Sequence, residues 1–360
     1  LNRKKDNQQY THYLKGGDNI NFSLDDSTSH RSNLFYTYEI GDREFLAFEN
    51  EFKNGITIYH LDDQTLFKDI KIPTEGPHGI RKIHGFTIVS HDSIFVYDSY
   101  QLSNALLINL DSKFIDRLNL TRNAESNVFS HASMTRNPSV YFEGDIYFIQ
   151  FSNSPSGRSE DFEFAYNIKN GTMIGKGITR PEIYGNKIWG LFHSYPNRSK
   201  GPGSTFVYSW GIDSDIYVTD FKNELKSFQA KSDYFDNINP ITSNQITSEV
   251  GLKYYAENDI YDVIFWDKYR KVYYRFARQG TPYLDSKTGR IANGEDKSCS
   301  IIILDENFKK IGETLLSQGK YFIRDSYVSR KGLCISNSHY RNPNLNESIM
   351  SFTVFSLNKY

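Results

Sequence analysis

The side chains best suited to chemistry in this sequence are arginines and histidines scattered between its apolar runs. His78 and Arg81 share the stretch EGPHGIRK, and His131, Arg136, Arg158, Arg180, Arg278, Arg324, His339 and Arg341 follow along the chain. A guanidinium presents a rigid fork of N–H donors that matches the paired oxygens of a carboxylate, sulfate or phosphate. Several such groups converging on one point would hold an anion or a polar sugar. Tyr234, Tyr283 and Tyr340 could supply the flat apolar plates on which such ligands stack. The expected ligand-binding set is therefore His78, Arg81, His131, Arg136, Arg180, Arg278, Arg324, His339 and Arg341.

Covalent and metal chemistry find less support. The chain has no Gly-rich phosphate loop and no HExxH. Around Ser204, GPGSTF lacks the second glycine of a nucleophile elbow. DSDIYVTD, from Asp213 to Asp220, lacks the glycine and distal glutamate of a calcium loop and reads as a turn and a strand. Glu160 and Asp161 are adjacent carboxylates that read as solvating a loop, since adjacency gives no separation across a cleft. Cys299 and Cys334 lie in strand-like runs without metal-ligand spacing and read as two separate buried thiols. No metal or cofactor is expected, and catalytic residues stay unassigned.

Composition limits the elements that must position these groups. Hydrophobic residues at 38% and charged residues at 24% suit a folded chain of 360 residues. Twenty-six Tyr and 26 Phe against three Met weight the chain towards strands. A formal net charge of −1 argues against a nucleic-acid partner. No apolar run approaches the length of a bilayer span.

A recurring hairpin organises the chain: an apolar strand, a tight polar turn, then a shorter alternating strand. Clear copies are GITIYHLDD with LFKDIKIP, NALLINLDS with FIDRLNL, and SIIILDEN with FKKIGETLL. Looser copies are FEFAYNIKNG with TMIGKGI and DIYVTDFKN with ELKSFQA, and a last half-copy is SFTVFSLNKY. The turns at Asp62, Asp111, Asn170, Asn223, Asp305 and Asn358 recur roughly every fifty residues, with one longer gap, as propeller blades do. Preceding strand pairs such as LFYTYEI and REFLAFEN are apolar on both faces, as inner strands packed between two neighbours must be. The expected fold is an all-β, six-bladed β-propeller of four-stranded blades.

The last repeat stops without its outer strand. NINFSLDD, Asn19 to Asp26, alternates Ile20, Phe22 and Leu24 with polar residues and is expected to complete that blade, removing an unpaired edge. Residues 1–18 then read as a flexible N-terminal tether and 19–360 as a single propeller domain. In such a ring the long segments Thr121 to Arg136, Asn153 to Glu160, Lys231 to Asn258, Gln279 to Lys297 and Ser338 to Ser348 emerge on one face. The opposite face carries tight turns such as Gly41-Asp42 and Glu143-Gly144, with a loop from Pro196 to Gly203 as an exception. The long-loop face is the expected binding face.

At EGPHGIRKIHGFTIVSHDSIFVYDS the sequence resembles NHL-type propellers, in which a Gly-Pro-x-Gly link leads into a strand. With FVYSWGIDSDIYVTDFKNELKSFQAKS and SIIILDENFKKIGETLL, it more fully resembles a family of uncharacterised six-bladed, TolB-like propeller lipoproteins of Bacteroidetes. That resemblance implies export as a periplasmic or outer-membrane-attached lipoprotein, held at the membrane only through an N-terminal lipid anchor. The expected function is a non-catalytic cell-envelope binding module for a glycan, peptide or envelope protein. The alternative is a hydrolase or lyase acting on a sugar or lactone near the central channel.

Overall fold

The structure is a computed structural model, and it describes residues 10–99, 104–120, 123–124, 135, 137–149, 161–236, 238–242, 247–286 and 289–360. Strands β1 (His12–Ser23) to β25 (Ile349–Lys359) form six separate sheets arranged as blades, antiparallel except for one short parallel pair. Blade 1 is β2 (Phe35–Ile40), β3 (Arg43–Asn50), β4 (Gly55–His60) and β5 (Leu66–Lys71). Blade 2 is β6 (Ile83–Ser90), β7 (Ser93–Asp98), β8 (Asn104–Ile108) and β9 (Phe114–Asn119). Blade 3 runs from β11 (Val140–Phe142) through β12 (Asp145–Ile149) and β13 (Glu163–Asn167) to β14 (Thr172–Gly175), with the short β10 (Asn123–Ala124) added parallel to β14.

Blade 4 is β15 (Pro196–Lys200), β16 (Phe206–Trp210), β17 (Asp215–Thr219) and β18 (Lys226–Gln229). Blade 5 is β19 (Ile260–Asp267), β20 (Val272–Arg278), β21 (Cys299–Asp305) and β22 (Lys310–Leu315). Blade 6 is β23 (Phe322–Ser329), β24 (Gly332–Ser336), β25 and β1. First strands of neighbouring blades touch one another, β2 on β23, β23 on β19, β19 on β15 and β6 on β11, so they form the inner ring.

The alternation of side chains explains the packing. On β3, Phe45 and Ala47 join a cluster shared with blade 2, while Leu46 and Phe48 join one shared with blade 6. The other four seams hold their own apolar clusters among the described residues. The outer strands bury one face only: on β5, Ile70 is buried and Lys71 is exposed. Several turns carry the backbone their hairpins need. Glu143 and Gly144 both have positive φ (51° and 89°), as a two-residue hairpin requires.

Ring closure follows the alternation at the N-terminus, but the strand is longer than its apolar signal. β1 pairs antiparallel with β25 from His12↔Lys359 to Ser23↔Ile349, so the boundary moves from residue 19 to His12. A bulge between Gly16 and Asn19 resets the register, which puts Leu14 on the blade 5 side and Ile20 and Phe22 on the blade 1 side. The Gly-Gly-Asp at the bulge hid the strand's first half. Residues 1–9 of the expected tether lie outside the described residues.

A second correction concerns the loop expected from Pro196 to Gly203. Pro196–Lys200 is the innermost strand of blade 4, and only the turn that follows it is loop. Its polar residues are buried because partners meet them across the seam: Arg198 pairs with Glu163 at 2.7 Å, and Asn137 donates to the Pro196 carbonyl at 3.0 Å. One helix, α1 (Ser248–Glu257), lies in the long link between blades 4 and 5. Thr247 caps it, accepting from the Val250 N–H, and Tyr254, Tyr255 and Ala256 form its buried side.

The face of short turns is tied across the ring. Tyr269, on the β19–β20 turn, places its hydroxyl 2.8 Å from both Glu39 and Glu44 of blade 1, and Arg330 of blade 6 pairs with Glu39 at 2.8 Å. Burial would raise the Glu39 carboxyl, but hydrogen bonds from Lys268, Tyr269 and Arg330 prevail and bring it down to about 2. The described blade-to-blade links and second-to-third-strand connections leave on the other face.

Candidate functional site

Four of the expected ligand-binding residues meet on that long-loop face, between blades 5 and 6. Arg278 ends β20, Arg324 lies near the start of β23, and His339 and Arg341 occupy the β24–β25 loop. Each finds its partner inside the protein. Arg278 is 1% exposed, with Nη1 2.9 Å from Asp262 and 3.1 Å from the Tyr255 hydroxyl, and it also donates to the Gly294 carbonyl. Arg341 lies 2.8 Å from Asp296, which Arg290 also contacts at 2.7 Å. The His339 Nε2 lies 3.0 Å from the Glu295 carbonyl, and Arg324 Nε lies 3.4 Å from the Glu295 carboxylate.

A short 3-10 turn, Gly294–Asp296, is thus the hub of this cluster, and its capping box from Asn293 fixes it. The charged partners of these side chains are Asp262, Glu295 and Asp296. Tyr340, expected as a stacking plate, lies against His339 with ring centroids 4.6 Å apart and also bonds Asp296.

The remaining members stand elsewhere. His78 stacks on Phe114 at 3.8 Å in the link from blade 1 to blade 2, which also holds Arg81. Arg180 lies in the link from blade 3 to blade 4, where its Nε donates to the Ser194 carbonyl at 3.3 Å and its guanidinium faces Phe162. His131, Arg136, Arg158 and Glu160 lie outside the described residues. Asp161 accepts backbone N–H groups from Glu163 and Ile178, so it organises its loop. Cys299 and Cys334 are free, buried thiols. Among the described residues no group of His, Cys, Asp and Glu is placed to hold a metal, and no helix is long and apolar enough to cross a membrane.

Beside the Glu295 cluster, a pocket of about 430 Å³ opens where the link into blade 1 meets the start of β23. Its wall includes Arg31, Asn33, Phe52, Thr135, Arg324 and Asp325. β23 pairs regularly with β24 except for a register break between Phe322 and Ser326, and Arg324 and Asp325 sit in that break. Asp325 is 1% exposed, and its Oδ2 has no hydrogen-bond partner among the described residues. Burial pushes its carboxyl well above the ordinary range, Glu295 adds to this, and Arg31, Arg324 and the Ser32 N–H oppose it without prevailing.

The rest of the wall is ordered. The Arg31 guanidinium lies over the Phe322 ring, 3.6 Å from its centroid. Asn33 donates to Glu51 at 3.0 Å, and its carbonyl accepts from the Thr135 N–H at 3.0 Å. Phe52 is 73% exposed and gives the pocket rim an apolar ring. The pocket therefore combines a buried acid, two guanidinium groups and apolar faces. Of these lining groups the residue types had singled out only Arg324.

Comparison with known proteins places the fold. The model of a family described as a domain of unknown function, DUF4221, matches residues 12–315. A solved member of that family from Bacteroides vulgatus superposes with a TM-score of 0.83 at 25% identity, covering 98% of this chain and 100% of the other. A Bacteroides fragilis chain named "putative exported protein" superposes with a TM-score of 0.59 at 13% identity, covering 97% and 96%. No curated protein matches the chain.

Proposed function

The chain belongs to the DUF4221 family, and from that premise and its pocket we propose that it is a non-catalytic binding module whose long-loop face takes a polar ligand in the cell envelope. The observation that carries this reading is the Asp325 carboxyl, buried at the pocket wall with an oxygen left unpartnered. An unmade hydrogen bond in a buried site costs about 1–3 kcal/mol, a cost retained here at the wall of a pocket. Export, with attachment through an N-terminal lipid, is part of the same proposal. It draws on the lipoprotein resemblance and on the name of the Bacteroides fragilis relative. Glycan fragments, peptides and envelope proteins are the candidate partners.

A melting-temperature screen against neutral and acidic glycans, peptidoglycan fragments and peptides tests the reading. A ligand present at about a hundred times its dissociation constant adds roughly 2.7 kcal/mol of stability. The expected result is a shift with one class that disappears in Arg31→Gln. A shift that persists in pocket variants would move the site away from this pocket.

One observation favours a second reading. Asp325 and Glu51 line the same pocket in different surroundings, one buried with its carboxyl pushed upward, the other half exposed and paired with Lys82 at 3.4 Å. Two carboxyl groups in unlike surroundings are the kind of pair that glycoside hydrolysis uses. Turnover of the bound class, lost in both Asp325→Asn and Glu51→Gln, would establish a hydrolase or lyase in place of a binding module.

A further inference from the structure

We propose that a second pocket on the long-loop face, beside the Gly294–Asp296 turn, is a subsite for a neutral saccharide. The inference rests on the binding-module reading and gives that face a ligand class at a place of its own. The cavity measures about 420 Å³, within the size range of small-molecule sites. Arg290 and Arg341 reach its wall from different loops, one between β20 and β21 and the other between β24 and β25. Asp296 holds both. Its Oδ1 lies 2.7 Å from Arg290 and 2.8 Å from Arg341 and accepts from the Tyr340 hydroxyl, while Oδ2 accepts the Asn293 N–H at 2.9 Å. That carboxylate is 5% exposed, whereas the two arginine side chains are 39% and 42% exposed. A buried acid thus fixes two guanidinium groups that stay partly open to solvent at the cavity wall.

The same wall carries an acceptor. The Asp285 N–H donates to the Arg290 carbonyl at 2.9 Å, so the two residues stand opposite each other in a small hairpin, with their side chains on one side of it. Both line the cavity. The charged groups of the lining are therefore Arg290 and Arg341 against Asp285 and Asp296, two of each sign. A bound anion would compete with Asp296, already seated on both guanidinium groups, and would share the cavity with Asp285. A bound ammonium would share it with two guanidinium groups. Neighbouring hydroxyl groups meet neither conflict, since each can accept from a guanidinium N–H and donate to a carboxylate.

Shape adds the ring. Pro282, Leu284 and Ala292 give the cavity an apolar side, and Leu284 is 56% exposed. A saccharide has C–H faces for such a side and hydroxyl groups around its edge for the polar wall. The site is separate from the pocket beside β23, with which it shares no lining residue.

Isothermal titration of the full chain with cellotriose, maltotriose, xylotriose and mannotriose, alongside trigalacturonate, chitosan trimer and trialanine, tests the inference. At least one neutral trisaccharide is expected to bind with a dissociation constant of about 1 mM or below, at least about tenfold more tightly than the charged trimers. Arg341→Met keeps the apolar stem and leaves Asp296 its bonds to Arg290 and Tyr340, so folding stands while affinity falls about tenfold, the worth of one hydrogen bond to a charged group. Asp285→Ala, the second variant, lowers it by a similar factor. Arg31→Gln, in the pocket beside β23, leaves it within about twofold. No binding of any neutral trisaccharide up to about 10 mM would overturn the subsite, and the wider reading would then rest on a melting shift that Arg31→Gln removes. Tighter binding of trigalacturonate or chitosan trimer would overturn the neutral class, and tighter binding of trialanine would overturn the saccharide in favour of a peptide. Neutral-sugar binding intact in both Arg341→Met and Asp285→Ala would overturn the assignment to this pocket, and its loss in Arg31→Gln would return the ligand to the first one.

Discussion

Replacing Arg278 with methionine separates a structural role for this residue from a ligand-binding one. Methionine keeps the length and apolar stem of the side chain but removes the guanidinium. In the folded protein Arg278 and Asp262 are both at most 2% exposed and lie 2.9 Å apart, so the substitution leaves a buried carboxylate without its charge partner. The Tyr255 hydroxyl and the Gly294 carbonyl lose a donor at the same time. Breaking a buried pair from one side costs about 3–5 kcal/mol, whereas removing both charges costs far less. Against a total stability of about 5–15 kcal/mol, that single change is severe. Urea denaturation at pH 7 should therefore show Arg278→Met destabilised by about 3–5 kcal/mol. Arg278→Met combined with Asp262→Asn should recover at least half of the loss. If Arg278→Met cost less than about 1 kcal/mol and instead abolished binding of an acidic sugar, the argument would fail, and Arg278 would belong to the ligand.

Two further outcomes test the frame that carries the site. Phe22, fully buried between Tyr59 and Phe352, with ring centroids at 5.1 and 6.2 Å, joins the closing strand to blades 1 and 6, so Phe22→Ala should cost about 3–5 kcal/mol in a denaturant titration. A cost under about 1 kcal/mol would mean that the strand does not hold the ring shut. Glu49 is pushed up to about 7, chiefly by burial and secondarily by Glu51. A raised folded value means that the folded state binds more protons, so this contribution is full below about pH 4.5 and lost as pH rises to about 7. Glu49→Gln should remove that decline, worth on the order of 2–3 kcal/mol between pH 4 and pH 8, and an unchanged pH profile would refute the assignment.

Much of the frame was legible because propeller blades announce themselves locally. The turns at Asp62, Asp111, Asn170, Asn223 and Asp305 each join a third strand to a fourth, and Asn358 marks the place where β25 meets β1 instead. Alternation on Ile20 and Phe22 was enough to find the closing strand, since one buried face needs only period two. What was lost depended on partners distant in sequence. PNRSK looks like a loop because Arg198 is charged and Asn197 polar, and only partners distant in sequence, Glu163 and the Pro138 carbonyl, explain why Arg198 is buried. α1 was missed for a different reason. Its SEVGLKYYAE carries a mid-helix glycine and only a weak apolar stripe, so its packing and the Thr247 cap decide its state.

The same distinction explains the site. Arginine and histidine types marked candidates scattered over the long-loop face, and spacing could not reveal that Asp262, Glu295 and Asp296 meet four of them between blades 5 and 6. A count of cations therefore overstates the charge available to a ligand. A better signal was present in YFIRDSYV, where Arg324 and Asp325 interrupt a run that becomes an innermost strand. Two adjacent charges cannot both be accommodated by ordinary alternation in a buried strand, so the ladder must break, and it does between Phe322 and Ser326. Arg324 lies within ion-pair distance of Glu295 and donates to the Tyr255 hydroxyl, while one oxygen of Asp325 has no hydrogen-bond partner among the described residues. Where a local pattern conflicts with burial and the conflict is only half resolved among neighbouring side chains, the group left short marks the place to test, and that reasoning directs attention to Asp325 at the pocket wall.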